Sequence, residues 1–163
     1  GVGLMAGEVG HQIIDPLGPL CYCGAHGCLE MLAAGPAIAE FARQRATPDG
    51  LMLRLVDGDA ERITSETVAI AARQGDPVAQ QLIDETAVYL GIGVSNLMNV
   101  VGPEVVVLGG GVMKSWDLLG EKLIAAAKSR IGMVPFELIR IVPAQLGSDV
   151  GVIGAVKALL DFG

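Results

Sequence analysis

Hydrophobic residues recur every three or four positions in three segments of the chain, the period of an amphipathic helix. We predict helices at about residues 36–46, 65–72 and 77–101. The second has Thr64 or Ser65 as its N-cap. The third begins with Asp76 and Pro77, because an aspartate caps the first turn and proline fits the first helical position. Residues 51–63 carry no clear pattern.

The long third helix has one hydrophobic stripe, and it ends at Gly102 and Pro103. The stripe consists of Ala87, Leu90, Val94, Leu97, Met98 and Val101. Gly91 and Gly93 interrupt this helix and lower its intrinsic stability. We therefore expect both glycines to allow close packing against a neighbouring element.

The last third alternates between short apolar runs and helical patterns. Residues 105–108 are wholly apolar, which predicts a strand covered on both faces. We expect a second strand near residues 138–142. Helices are predicted at about residues 116–130 and 148–160, the latter with Ser148 as N-cap and Asp149 in its first turn. This alternation indicates an α/β fold.

Composition limits the functions that fit the chain. Its 163 residues correspond to about one domain, and 52% are hydrophobic, enough for a substantial core. The net charge is −7 and basic residues form no stripe, which argues against direct nucleic-acid binding. Apolar runs are too short for a membrane helix, and no signal peptide is visible, so we expect a cytoplasmic protein. The first residue is not methionine, and we expect a longer natural protein.

All three cysteines lie within residues 21–28, ten residues after His11. Together Cys21, Cys23, Cys28 and His11 supply three thiolates and one imidazole, a complete ligand set that predicts a closed, structural zinc site. Gly24 and Gly27 would let the backbone turn tightly enough for the thiolates to converge. His26 is an alternative fourth ligand, but its position inside the cysteine cluster favours His11.

Two further features indicate ligand binding. The glycines Gly109–Gly111 follow a predicted strand, where backbone N–H groups can approach a nucleotide; a tight turn is an equal alternative. Glu8 and Glu30 flank the zinc motif, and the metal would bring them together. Two carboxylates and an imidazole suit the hydroxyl groups of a polyol. Alternatively, Glu30 only begins a helix and favours its positive end.

Together these motifs resemble the signature of the ROK family, which contains bacterial sugar kinases and sugar-responsive repressors. The resemblance rests on residues 7–11 (GEVGH) and 21–30 (CYCGAHGCLE). It extends through residues 90–99, 103–112 and 147–155, and so covers nearly the whole chain. It implies the carboxyl-terminal lobe of an actin-like, ribonuclease-H-like ATPase fold over residues 1–163. Residues 1–35 would form the zinc and sugar loop, and residues 36–163 an α/β lobe with the nucleotide loop.

The resemblance also implies roles for the motif residues. Glu8, His11 and Glu30 would bind sugar hydroxyls, and His11 would also ligate zinc with the three cysteines. Gly109, Gly110 and Gly111 would lie against ATP, which magnesium accompanies. The first phosphate loop and the catalytic aspartate of the family belong to an amino-terminal lobe. No aspartate here has the matching context, so we assign no catalytic base and expect no kinase activity from these residues alone.

Two functions therefore remain open: an ATP-dependent hexose kinase, most similar to a glucokinase, and the sugar-sensing portion of a repressor. The glycine loop favours the kinase, because a repressor has less need of ATP. A zinc-stabilised interaction module without a ligand is a third, weaker alternative. The identity of the hexose and of the phosphoryl donor stays open. A lobe without its partner would expose apolar surface, and we expect a homodimer or an associated amino-terminal lobe.

Overall fold

The computed structural model describes residues 7–147 and 150–162. Within these residues, the α-helices are α1 (Leu29–Ala33), α2 (Gly35–Arg45), α3 (Leu51–Arg54), α4 (Ser65–Arg73), α5 (Pro77–Val101), α6 (Trp116–Lys128) and α7 (Val150–Phe162). The strands are β1 (Val105–Leu108) and β2 (Arg140–Pro143). Short 3₁₀ helices occupy Val9–His11, Ala60–Arg62, Gly111–Ser115 and Phe136–Leu138.

Strands β1 and β2 pair in parallel, with Val105 opposite Arg140 and Leu108 opposite Pro143. Helix α6 lies between them in sequence, as a parallel pair requires a long connection. The predicted α/β class is confirmed. The expectation that β1 is covered on both faces is wrong for the described part of the chain. Val106 is buried, but Val107 is 60% exposed, because no described element covers its face.

Helix α5 is the centre of the core and contacts α6, α4, α2 and α1. The two predicted glycine contacts are present. A Cβ atom on Gly91 would lie 2.5 Å from the Cβ atom of Ala126, and one on Gly93 would lie 2.7 Å from Leu29 Cδ2. Both glycines therefore allow a neighbouring helix to approach α5 closely, which offsets their low helix propensity.

The helix starts follow the capping residues that the sequence predicts. The Thr64 hydroxyl accepts the Thr67 N–H group at the start of α4, and the Thr67 side chain accepts the Thr64 N–H group in return. Asp76 caps α5 by accepting the Ala79 N–H group at 2.9 Å. Gly102 ends α5 with a φ of 60°, in the left-handed region.

Several segments differ from the prediction. Residues 51–63 contain α3 and a 3₁₀ turn, which are too short to produce a helical period. Val101 is 67% exposed, so the hydrophobic stripe of α5 ends before it. Strand β2 begins at Arg140, after a 3₁₀ turn at Phe136–Leu138. The predicted capping residues Ser148 and Asp149 lie outside the described residues.

Helix α7 is strongly apolar, and its described side chains are exposed. Its large exposed hydrophobic residues are Val152, Ile153, Val156, Leu159 and Leu160. A search of the described helices found none long and apolar enough to cross a membrane.

We expect Gly91→Ala to destabilise the chain by about 1–3 kcal/mol, because the added methyl group would overlap Ala126 on the packed face of α6. The measurement is the urea-induced unfolding midpoint. Gly154→Ala in α7 is the control, since a Cβ atom there meets no atom within 4 Å and should not destabilise. Equal midpoints for both variants would show that the contact between α5 and α6 is not tight.

Candidate functional site

The cysteine motif folds into a compact loop held by backbone hydrogen bonds. Isolated antiparallel bridges join Ile13 to Cys28 and Leu20 to His26. Gly27 has a φ of 69°, and a Cβ atom there would lie 1.5 Å from the Asp15 carbonyl oxygen. Only glycine fits at this crossing, where the two sides of the loop come into contact. The crossing places Cys28 beside the 3₁₀ turn that carries His11.

The ligand atoms of His11, Cys21, Cys23 and Cys28 all lie within 4.8 Å of one another. His11 Nδ1 is 3.5 Å from Cys21 Sγ, and Cys23 Sγ is 3.6 Å from Cys28 Sγ. Zinc–sulfur and zinc–nitrogen bonds in a tetrahedron give edges of about 3.8 Å between sulfurs and about 3.6 Å between sulfur and nitrogen. These two observed distances match the tetrahedral values, and all four ligand atoms lie close enough together to converge on one zinc ion.

The environment of the thiols suits a closed site. Cys21 and Cys28 are buried, whereas Cys23 is exposed. Burial raises the pKa of the Cys28 thiol to about 12, with hydrogen bonds from the other cysteines adding to the effect. A hydrogen bond from the Ala25 backbone is the main cause of the lowered pKa of Cys23. A bound cation would displace the Cys28 proton, since a metal binds the thiolate form.

His26 lies apart from this cluster. Its ring is exposed, and its Nδ1 atom is 3.1 Å from the Gly18 carbonyl oxygen. The structure thus brings together the ligand set that includes His11, and it leaves the alternative histidine on the outer side of the loop.

The sequence analysis missed a residue at the centre of the site, Tyr22. Its hydroxyl group donates a hydrogen bond to Glu30 Oε2 at 2.9 Å and lies 3.1 Å from His11 Nε2. The Glu30 bond is the main cause that raises the pKa of Tyr22 to about 12. In the sequence, the indication of this role was the position of Tyr22 between Cys21 and Cys23. If both cysteines bind the same metal as His11, the tyrosine between them is held close to His11.

Both predicted carboxylates influence the Tyr22 hydroxyl group, Glu30 far more strongly than Glu8. Glu30 lies in the first turn of α1, as the helix-start alternative predicts. Its carboxylate also accepts a hydrogen bond from the Tyr22 hydroxyl group, which in turn lies beside the His11 ring. The Glu8 carbonyl oxygen accepts the His11 N–H group at 3.0 Å. The Glu8 carboxylate contributes a small part of the raised pKa of Tyr22, which indicates that it is near the same hydroxyl group.

Gln12 is a second residue that sequence reasoning missed. Its amide nitrogen donates to the Gly93 carbonyl oxygen at 3.4 Å, and its amide oxygen accepts from Asn96 Nδ2 at 3.0 Å. These bonds attach the loop to the long helix α5. Asn96 is thus the side chain of α5 that holds the Gln12 amide oxygen.

The predicted nucleotide loop borders two clefts. One, of about 420 Å³, is lined by Gly109–Gly111 together with Lys114, Ala144 and Gly147. The other, of about 340 Å³, is lined by the same three glycines together with Gly10 and Glu30. Gly110 has a φ of 98°, which disfavours any side chain there. Glu30 and the glycine loop therefore line the same cleft of about 340 Å³.

Comparison with known proteins identifies one family over nearly the whole chain. The sequence profile described as ROK family matches residues 1–161. The chain is 35% identical to a glucokinase of Streptomyces coelicolor over 93% of this chain and 49% of that one. It is 30% identical to a xylose repressor of Caldicellulosiruptor bescii over 98% of this chain and 40% of the repressor.

A solved structure agrees closely with this fold. The crystal structure of a ROK family glucokinase from Streptomyces griseus in complex with glucose and AMPPNP superposes with a TM-score of 0.82 at 34% identity. The match covers 93% of this chain and 50% of that protein. The fold and the site define an α/β chain with the actin-like ATPase architecture of these neighbours. The chain belongs to the ROK family, and it spans about half the length of the glucokinases that it matches.

We expect His11→Ala to lower bound zinc from one ion per chain to well below half an ion after dialysis, because three thiolates leave the tetrahedron incomplete. His26→Ala should retain the full ion, since that ring lies outside the cluster. Zinc content by atomic absorption, normalised to protein, decides the result. Equal zinc in both variants would exclude His11 as a ligand.

Proposed function

We propose that this chain is the carboxyl-terminal lobe of an ATP-dependent hexose kinase, most similar to a glucokinase. The observation that carries the proposal is the shared cleft of about 340 Å³, whose lining includes both Glu30 and Gly109–Gly111. Phosphoryl transfer requires the acceptor hydroxyl and the nucleotide to meet in one space. A cleft with a hydroxyl-binding carboxylate and a nucleotide loop meets that requirement.

In this proposal His11, Cys21, Cys23 and Cys28 bind a structural zinc ion. Two of the ligand distances match tetrahedral edges, and a tetrahedron of these four ligands would leave no position for a water molecule or substrate. The metal would fix the loop and hold the His11 ring with Nδ1 toward Cys21 and Nε2 toward the Tyr22 hydroxyl, which donates to Glu30. Its role is therefore the shape of the sugar-binding surface and not the chemistry of phosphoryl transfer.

Glu8, His11 and Glu30 then bind the hydroxyl groups of the hexose. A carboxylate accepts hydrogen bonds from two hydroxyls, and an imidazole N–H group donates to a hydroxyl oxygen. The glucose in the complex of the Streptomyces griseus relative supports a hexose as the substrate class.

The glycines Gly109–Gly111 would contact ATP, as the AMPPNP in the complex of that relative suggests. Their backbone can approach a nucleotide closely, and the nearby Lys114 adds a positive charge on the edge of the larger cleft. Magnesium bound to the phosphates would spread the charge of the transferred group. The catalytic base would come from the amino-terminal lobe, which would close over this surface.

The domain assignment is part of the same proposal. Residues 1–35 form the zinc and sugar loop, and residues 36–163 form the lobe that carries the nucleotide loop. The exposed apolar side chains of α7 would pack against the remainder of the protein or a second copy. Three reduced cysteines in one cluster suit a cytoplasmic enzyme.

The second candidate is the sugar-sensing portion of a ROK repressor, which the likeness to the xylose repressor favours. The two functions share a sugar ligand and differ in the nucleotide. A kinase requires the glycine loop to bind ATP, whereas a sensor requires only the sugar.

We expect Glu30→Gln to weaken glucose binding about ten-fold or more, because the neutral amide loses charge-assisted hydrogen bonds to the sugar hydroxyls. Isothermal titration of the zinc-loaded protein with glucose measures the effect. Glu121→Gln on the exposed face of α6 is the matched control and should leave the affinity unchanged. Equal affinities for both variants would remove Glu30 from the site.

The same titration with AMPPNP and magnesium separates kinase from repressor. Gly111→Ala adds a methyl group to the open space of the cleft without backbone strain, and it should weaken AMPPNP binding. Gly132→Ala is equally unstrained and lies outside the cleft, so it serves as control. Glucose binding without any AMPPNP binding would favour the repressor.

A further inference from the structure

The hydroxyl group of Tyr22 connects two residues that the proposed function assigns to the sugar. It lies 2.9 Å from Glu30 Oε2 and 3.1 Å from His11 Nε2. The tyrosine and histidine rings meet edge to face, with centroids 5.0 Å apart. The hydrogen-bonding atoms that would receive a hexose hydroxyl are thus already paired with a hydroxyl of the chain itself.

The pairing follows from the orientation of the His11 ring. Nδ1 faces Cys21, and Nε2 faces Tyr22. With a metal on Nδ1, the neutral ring carries its proton on Nε2, where it donates to the tyrosine oxygen. The tyrosine in turn donates to Glu30. A hexose hydroxyl has the same single proton and accepting lone pairs as the phenol, so it can replace the phenol one for one.

The Tyr22 side chain is able to leave this position. It is 76% exposed, so little burial opposes its movement. Beside it lies an apolar groove of about 360 Å³, whose walls include Met31, Pro36 and Phe41. The groove offers an apolar surface for the ring outside the space between His11 and Glu30.

We propose that the Tyr22 hydroxyl occupies the position of a hexose hydroxyl between His11 and Glu30, and that the sugar binds by displacing it. Tyr22 is then a residue that sets the hexose affinity through competition. This inference rests on the proposed function, since it requires that Glu30 and His11 bind the sugar.

A supporting role is the alternative for the same contacts. If Tyr22 instead holds His11 in the orientation that the metal needs, loss of its hydroxyl should weaken zinc retention. If Tyr22 competes with the sugar, loss of its hydroxyl group should change the sugar affinity and leave the zinc content unchanged. Zinc content and sugar affinity therefore separate the two roles.

The experiment measures glucose affinity by isothermal titration, and zinc by atomic absorption, on the zinc-loaded wild type, Tyr22→Phe and Tyr22→Ala. We expect Tyr22→Phe to bind glucose about two- to ten-fold more tightly, because the sugar no longer has to break the contacts of the Tyr22 hydroxyl with Glu30 and His11. Tyr22→Ala should bind at least as tightly as Tyr22→Phe. Both should keep the full zinc content. Tyr89→Phe, at a half-buried tyrosine of α5, is the matched control and should equal the wild type.

Each remaining outcome counts against the inference. Unchanged or weaker glucose binding in Tyr22→Phe with full zinc would overturn it. Weaker binding together with lost zinc would overturn it in favour of the supporting role. Absence of glucose binding in the wild type would overturn the proposed function and this inference together, whereas wild-type binding leaves the proposed function standing whatever the variants do.

Discussion

The close backbone crossing of Gly27 and Asp15 is the constraint on which the site depends. A Cβ atom at position 27 would lie 1.5 Å from the Asp15 carbonyl oxygen, so no other residue fits without opening the loop. Because the loop is closed at this point, Cys28 reaches the turn that carries His11, and the four ligand atoms converge within 4.8 Å. Glu30 follows two residues later in α1, so its position is a consequence of the same crossing.

Contacts with helix α5 hold this loop against the rest of the fold. Gln12 bonds to the backbone of α5, and Gly93 gives Leu29 room to pack on the same helix. On its other side α5 packs tightly on α6, which leads from the glycine loop to β2. Helix α5 therefore links the cysteine loop to the glycine loop, and both loops line one cleft. Under the proposed function, this arrangement would let two motifs that are far apart in sequence serve one reaction.

Local signals predicted much of this structure. The caps at Thr64 and Asp76 and the stop at Gly102 act within a few residues, so the chain itself shows where α4 and α5 begin and end. Properties that depend on neighbours in space were not predictable. The exposure of Val107 depends on what covers a sheet face, and the contacts of Tyr22 depend on how the loop folds back on itself. The clustering of His11 with the three cysteines was predictable, because their spacing in the sequence limits the alternatives.

In the proposed function, the metal ion positions the residues that bind the sugar. The most direct test is a glucose titration of the same sample before chelation, after removal of zinc, and after zinc is returned. We expect glucose affinity to be lost with the metal and restored by zinc, but not by magnesium, because only a tetrahedral site of three thiolates and one imidazole re-forms the loop. Full glucose affinity in the zinc-free protein would contradict the account, since Glu30 and His11 would then be positioned without the metal.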